Sequence, residues 1–173
     1  MTSTPTLLRS TYAAILMLLI LVVTALVFSA RAQGYDGKDY TPNGGVDATN
    51  GTIRVDDTWV DAPSGVSTGA HANLRLQLAN DSGRGDALQG VSTPVAAQVR
   101  LMLHGKPVRS LHLKPWSARD LEWPTHGIGI ELVGVNRPLQ AGQWFPVTFR
   151  FQHSSPITMQ ITAGPLGHAA RSR

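Results

Sequence analysis

An all-β fold, an antiparallel β-sandwich of the cupredoxin-like or immunoglobulin-like kind preceded by one N-terminal transmembrane helix, is what this sequence predicts. Three observations carry that expectation. Apolar residues alternate with polar ones at a period of two through most of residues 52–162, which is strand patterning. Turn-forming residues break the alternation at short, nearly regular spacing, as in a sandwich. One unbroken apolar run of membrane-spanning length stands at 12–30, interrupted only by Thr24 and Ser29.

In chain order, residues 1–11 read as a short cytoplasmic N-terminus. As a helix, 12–30 would span about 28 Å, the thickness of the hydrocarbon layer, and exceeds the usual signal-peptide core. Arg9 and Arg31 flank it. The expected location is therefore the cell membrane, single-pass, with the domain on the extracytoplasmic side. Ala30-Arg31-Ala32 has the form of a signal-peptidase site, so a secreted or periplasmic protein cleaved at Ala32 stays open. Residues 31–51, rich in Gly and Asp and without apolar periodicity, read as a flexible linker. Asn50-Gly51-Thr52 matches a glycosylation sequon.

A β domain is expected over 52–164. Its first strand is 53–60. Leu74, Leu76 and Leu78 alternate with Arg75, Gln77 and Ala79, and Asn80-Asp81-Ser82-Gly83 supplies the turn that ends that strand. Strand 99–104 and a Gly105-Lys106-Pro107 turn follow. Short strands are then expected at 110–114, 119–123 and 128–133, and alternation is clean at 146–151 and 157–161. The tail, 165–173, has no pattern and reads as disordered.

Composition excludes several functions. The 173 residues contain no cysteine, so disulfides, thiolate ligands, thiol catalysis and a lipid-bearing cysteine are all absent from them. The net charge is +4, but Arg100, Lys106, Arg109, Lys114 and Arg119 fall singly between apolar residues. Aromatics make up only 6 % of the chain, too few for the stacking that nucleic acid requires. A basic surface toward anionic lipid or an acidic partner, or one that is merely solvated, fits better. No G-x-S-x-G, H-E-x-x-H or Walker motif is present, and no enzyme is expected. Asp120 and Glu122 share a strand face and read as solvated acids.

The chemistry-bearing residues concentrate in 99–134, which holds His104, His112, His126 and Met102. On a strand, Arg100, Met102 and His104 share one face, and a thioether beside an imidazole is the beginning of a soft-metal site. The expectation is that Met102 and His104 lie outside the core and project toward His126. Met102 filling a core gap, with His104 at a wet strand end, is the alternative.

The run Asp86-Ala87-Leu88-Gln89-Gly90-Val91-Ser92-Thr93-Pro94-Val95-Ala96 resembles the Asp-x-Leu-x-Gly-Val-Ser-Ser-Pro-x-Ala segment of the PCu(A)C periplasmic copper chaperones. Ile53-Arg54-Val55 with Trp59, the stretch 74–83, Arg137-Pro138-Leu139-Gln140-Ala141-Gly142 and 146–151 extend the resemblance over about residues 53–162. The resemblance implies a cupredoxin-like domain that carries copper(I) by ligand exchange. It transfers the metal ligands poorly. The first ligand His falls on Met102, no Met follows in 108–113, and the Gly-Gly-x-His-x-Met signature falls on His126-Gly127-Ile128-Gly129-Ile130-Glu131, with Gly129 and Glu131 in the ligand positions. A rearranged copper site would use Met102, His104, His126 and His112, with Glu131 as an alternative donor. Two functions follow: a membrane-anchored copper-chaperone-like protein serving a cuproenzyme such as cytochrome oxidase, or a docking subunit of a membrane complex that keeps the scaffold without copper. The implied partners are the membrane, through 12–30, and one such protein.

Overall fold

The computed structural model describes residues 45–164, and every regular element among them is a β-strand. The expected membrane helix at 12–30 and the tail lie outside the described residues. The strands are β1 (Val46–Thr49), β2 (Ile53–Val60), β3 (Ala72–Asn80), β4 (Asp86–Ser92), β5 (Ala96–Leu103), β6 (Lys106–Val108), β7 (Leu111–Leu113), β8 (Ser117–Leu121), β9 (Ile128–Val135), β10 (Trp144–Phe151) and β11 (Ile157–Ala163).

Hydrogen bonding joins them in the order β6-β5-β9-β3-β2-β11-β10-β4-β7, with β1 on β2 and β8 on β3. β11 pairs with β2 in parallel, and the other ladders are antiparallel. Two strands each divide one edge between two neighbours. β2 gives its first part to β1 and Trp59 and Val60 to β11. A register shift between Asp56 and Trp59, with Asp57 at φ 52°, separates the two parts. Such a bulge adds a residue on one side and sharpens the local twist, which lets one strand serve two partners. β3 likewise pairs through residues 72–74 with β9 and through 76–80 with β8. The ends of the strand order, β6 and β7, are separated only by Arg109 and Ser110. Three Cα steps reach at most about 11 Å, so the sheet curls until its edges nearly meet.

The period of two builds the interior. Phe145, Val147, Phe149 and Phe151 on β10, Ile157, Met159 and Ile161 on β11, Leu74, Leu76 and Leu78 on β3 and Ile128, Ile130 and Leu132 on β9 are buried. Stacked on facing walls, they remove their apolar surface from water.

Two expectations change. The stretch read as linker includes β1: Val46 is fully buried and pairs with Thr58. Four residues with one core side chain are too short to show a period. A strand also replaces the expected turn at Lys106 and Pro107. Leu103 pairs with Lys106, and His104 and Gly105, both at positive φ, form the two-residue turn between them. Besides these, β4 escapes the alternation rule, because Asp86, Ala87 and Leu88 are buried in succession.

Candidate metal centre

β5 ends at Leu103, so strand alternation does not reach His104. His104 sits in the turn at φ 50°, and its backbone N–H donates to the Gly127 carbonyl. That bond ties the β5–β6 turn to the turn at 124–127, where the N–H groups of His126 and Gly127 donate to the carbonyls of Glu122 (2.8 Å) and Pro124 (3.1 Å). His104 and His126 line one shallow cavity of about 350 Å³ with Leu103, Arg119, Asp120 and Ile128. His126 is half exposed, and its Nδ1 lies 3.6 Å from Glu122 Oε2. Glu122 is itself held by Arg75 at 3.4 Å. Asp120 accepts from Gln77 Nε2 at 2.9 Å.

The remaining expected ligands are placed differently. Met102 is not at the surface: it is only 8 % exposed. It pairs across the sheet with Gly129, and Arg100 with Glu131, so these four residues share the face opposite to the Leu101 and Ile130 side chains. Trp123 covers this part of the face. A Cβ built on Gly129 would stand 2.6 Å from both the Cβ and the backbone nitrogen of Trp123, and the indole reaches Gly105. The space that a ligand side chain at position 129 would need is therefore filled by tryptophan. Glu131 is engaged elsewhere, with Oε1 3.1 Å from His71 Nδ1 and Oε2 3.9 Å from Arg100. His112 is on β7, paired with Ala87 of β4 at the other end of the strand order, with its ring against Gly85. Among the described residues no three His, Asp or Glu side chains are grouped as a metal cage.

Sequence reasoning missed Trp123 and the two β8 residues of the cavity wall, Arg119 and Asp120. A tryptophan six residues before a glycine inside an apolar strand was the available signal for Trp123, since Gly in a strand marks close approach by other atoms. Nothing local marked Arg119 and Asp120, because β8 comes to His104 only through its pairing with β3.

The fold is similar to that of solved PCuAC domains. A copper-bound PCuAC domain from PmoF2 superposes with a TM-score of 0.61 at 21 % identity, over 69 % of this chain and 98 % of that one. The copper(I) form of DR1885 from Deinococcus radiodurans gives a TM-score of 0.55 at 22 % identity, over 78 % and 86 % of the respective chains. The sequence pattern described as "Putative lipoprotein LpqE-like" matches residues 53–163, and this chain belongs to the LpqE-like family. None of the curated proteins matches it.

Proposed function

We propose that this protein is an exported, membrane-anchored copper(I) carrier of the chaperone type, with His104 and His126 as its first donors and Met102 as a third. The observation that carries the reading is the convergence of His104 and His126 on one open cavity at the mouth of the β5–β9 pair, in a PCuAC fold. Copper(I) suits imidazole and thioether donors, and it is the cargo, bound and released by ligand exchange. Two imidazoles give an accessible entry point. The covered thioether of Met102 joins them when Trp123 swings away. On this reading the curled sheet works as a cupredoxin-like sandwich, residues 12–30 hold it at the membrane, and the acceptor is a cuproenzyme such as cytochrome oxidase.

A second reading is favoured by three specific observations. Trp123 fills the space above Gly129, Arg119 brings positive charge to the cavity wall, and Glu131 is tied to His71 and Arg100. A scaffold altered in this way suits a docking subunit that has given up copper.

One titration separates them. The carrier takes copper(I) from a chelator of moderate affinity with one-to-one stoichiometry, and Trp123 fluorescence changes on loading. His104→Ala with His126→Ala weakens binding at least about 100-fold, as loss of both first donors should. A wild-type chain that takes no copper from that chelator leaves only the docking subunit.

A further inference from the structure

Charge is sorted over the surface. Asp47, Asp56, Asp57, Asp120 and Glu122 line one groove together with Arg54 and Arg75. From Ala87 to Arg119, in contrast, the chain contains no Asp or Glu and five Lys or Arg residues. Among the described residues, only Arg100 of these five has a carboxylate within ion-pair distance, and Arg84, just before the stretch, has none there either.

Trp116 stands within this uncompensated region. It is 73 % exposed, and Trp144 is the only other large hydrophobic residue exposed among the described residues. Its position is fixed by the backbone. Trp116 sits at φ 51°, its N–H donates to the Ser82 carbonyl at 3.1 Å, and its indole lies against Gly83. Ser117 Oγ donates to the Lys114 carbonyl at 2.7 Å, and Asn80 Nδ2 donates to the Arg84 carbonyl at 2.8 Å. Two loops are thus pinned into one tip that presents a tryptophan between Arg84 and Lys114, all three exposed.

We propose that this tip is a contact point for an anionic lipid surface, separate from any anchoring by residues 12–30. An indole with an apolar body and a polar N–H suits the headgroup layer, and flanking cations are drawn to the negative leaflet. A protein partner fits the observations less well: a stable interface needs a contiguous apolar centre of several hundred Å², and here one ring projects alone among charges. Trp144 provides an internal contrast. It begins β10, seven residues from Phe151, which pairs with Leu88 near the tip, so it lies about 23 Å away along the strand. No Lys or Arg adjoins it in sequence. The tip also bears on the copper reading without depending on it: Arg119, three residues beyond Trp116, lines the His104–His126 cavity.

The test uses the full chain in vesicles of phosphatidylcholine, with or without about 30 % phosphatidylserine, and lipids brominated near the top of the acyl chain. The Trp116 contribution is the difference in quenching between wild type and Trp116→Phe. It is expected to be at least about threefold larger in the anionic vesicles and to fall toward the neutral value at about 0.5 M salt. Arg84→Glu with Lys114→Glu should lower it similarly without changing the circular dichroism. Equal Trp116 quenching in both vesicles, or none in either, overturns the proposal. So does shielding of Trp116 from acrylamide by polyglutamate in a chain that shows no lipid quenching, which would assign the tip to an acidic protein. Copper titration is unaffected by any of these outcomes, so the two readings fail separately.

Discussion

Two loop clusters of this domain use polar side chains in opposite ways. At 80–86 and 151–155, Asn80 and Asp86 are buried and their hydrogen-bonding capacity is consumed internally. Asp86 Oδ1 accepts from the N–H groups of Ala87, Gln152 and His153, and Oδ2 from that of Ser154, at 2.7–3.1 Å. Asn80 Oδ1 accepts from the N–H and the hydroxyl of Ser82. At 104–105 and 122–127 the backbone does the tying, and the imidazoles of His104 and His126 are left facing the solvent. The first cluster is built to hold strands in place. The second keeps donor atoms unspent, which is the condition for taking a ligand.

The largest test of that contrast is Asp86→Ala. Removing the carboxylate takes away the acceptor of the Ala87, His153 and Ser154 N–H groups, while that of Gln152 keeps the Ala87 carbonyl, and a loss of about 3 kcal/mol in urea unfolding is expected. The same group sets an acid limit. Burial alone would raise its pKa, but the hydrogen bonds from Ser154, Ala87 and His153 outweigh it and hold the carboxyl below its ordinary value. A depressed folded-state pKa gives stability that is full above the unfolded value, near 4, and is lost as pH falls through the folded one. Wild type should therefore lose stability below about pH 4 more steeply than Asp86→Asn does. Parallel profiles would remove Asp86 as the cause.

A middle-sized effect links packing to the second cluster. Gly129→Ala puts a methyl group against the Trp123 backbone, and overpacking of this kind costs about 1–3 kcal/mol. Trp123 should move, carrying the 124–127 turn, so copper affinity should fall along with melting temperature. Lost stability with unchanged affinity would show that Trp123 does not position His126.

The smallest effect is expected where the comparison is sharpest. His104→Ala and His126→Ala should each change stability by less than about 0.5 kcal/mol, since both rings are exposed. A cost above 1 kcal/mol, read by thermal denaturation, would make them structural like Asp86.

Much of the fold could be read without coordinates. Strand β2 at 53–60 has the limits expected, and β3, β10 and β11 appear where Leu74, Phe149 and Ile161 alternate with polar neighbours. That pattern is local, because side chains in a strand point alternately to two faces whatever the strand pairs with. The candidate site was legible only in its ingredients. Strand alternation was extended one residue too far at His104, which a tight turn redirects, and it gave Met102 the right face without showing that Trp123 covers that face.

The sequence by itself determined the all-β character, the alternating apolar side chains of β3, β10 and β11, the lack of any thiol and the excess of positive charge, since each depends on composition or on neighbours a few positions apart. Tertiary structure alone decided which histidines share a cavity. A hydrogen bond from the His104 N–H to the Gly127 carbonyl joins the turns that carry His104 and His126, whereas His112, nearer to His104 in sequence, is set on β7 against Gly85 by its pairing with β4 and does not line that cavity. Distances across a curled sheet are set by strand order and register, which depend on how all the apolar faces are buried together.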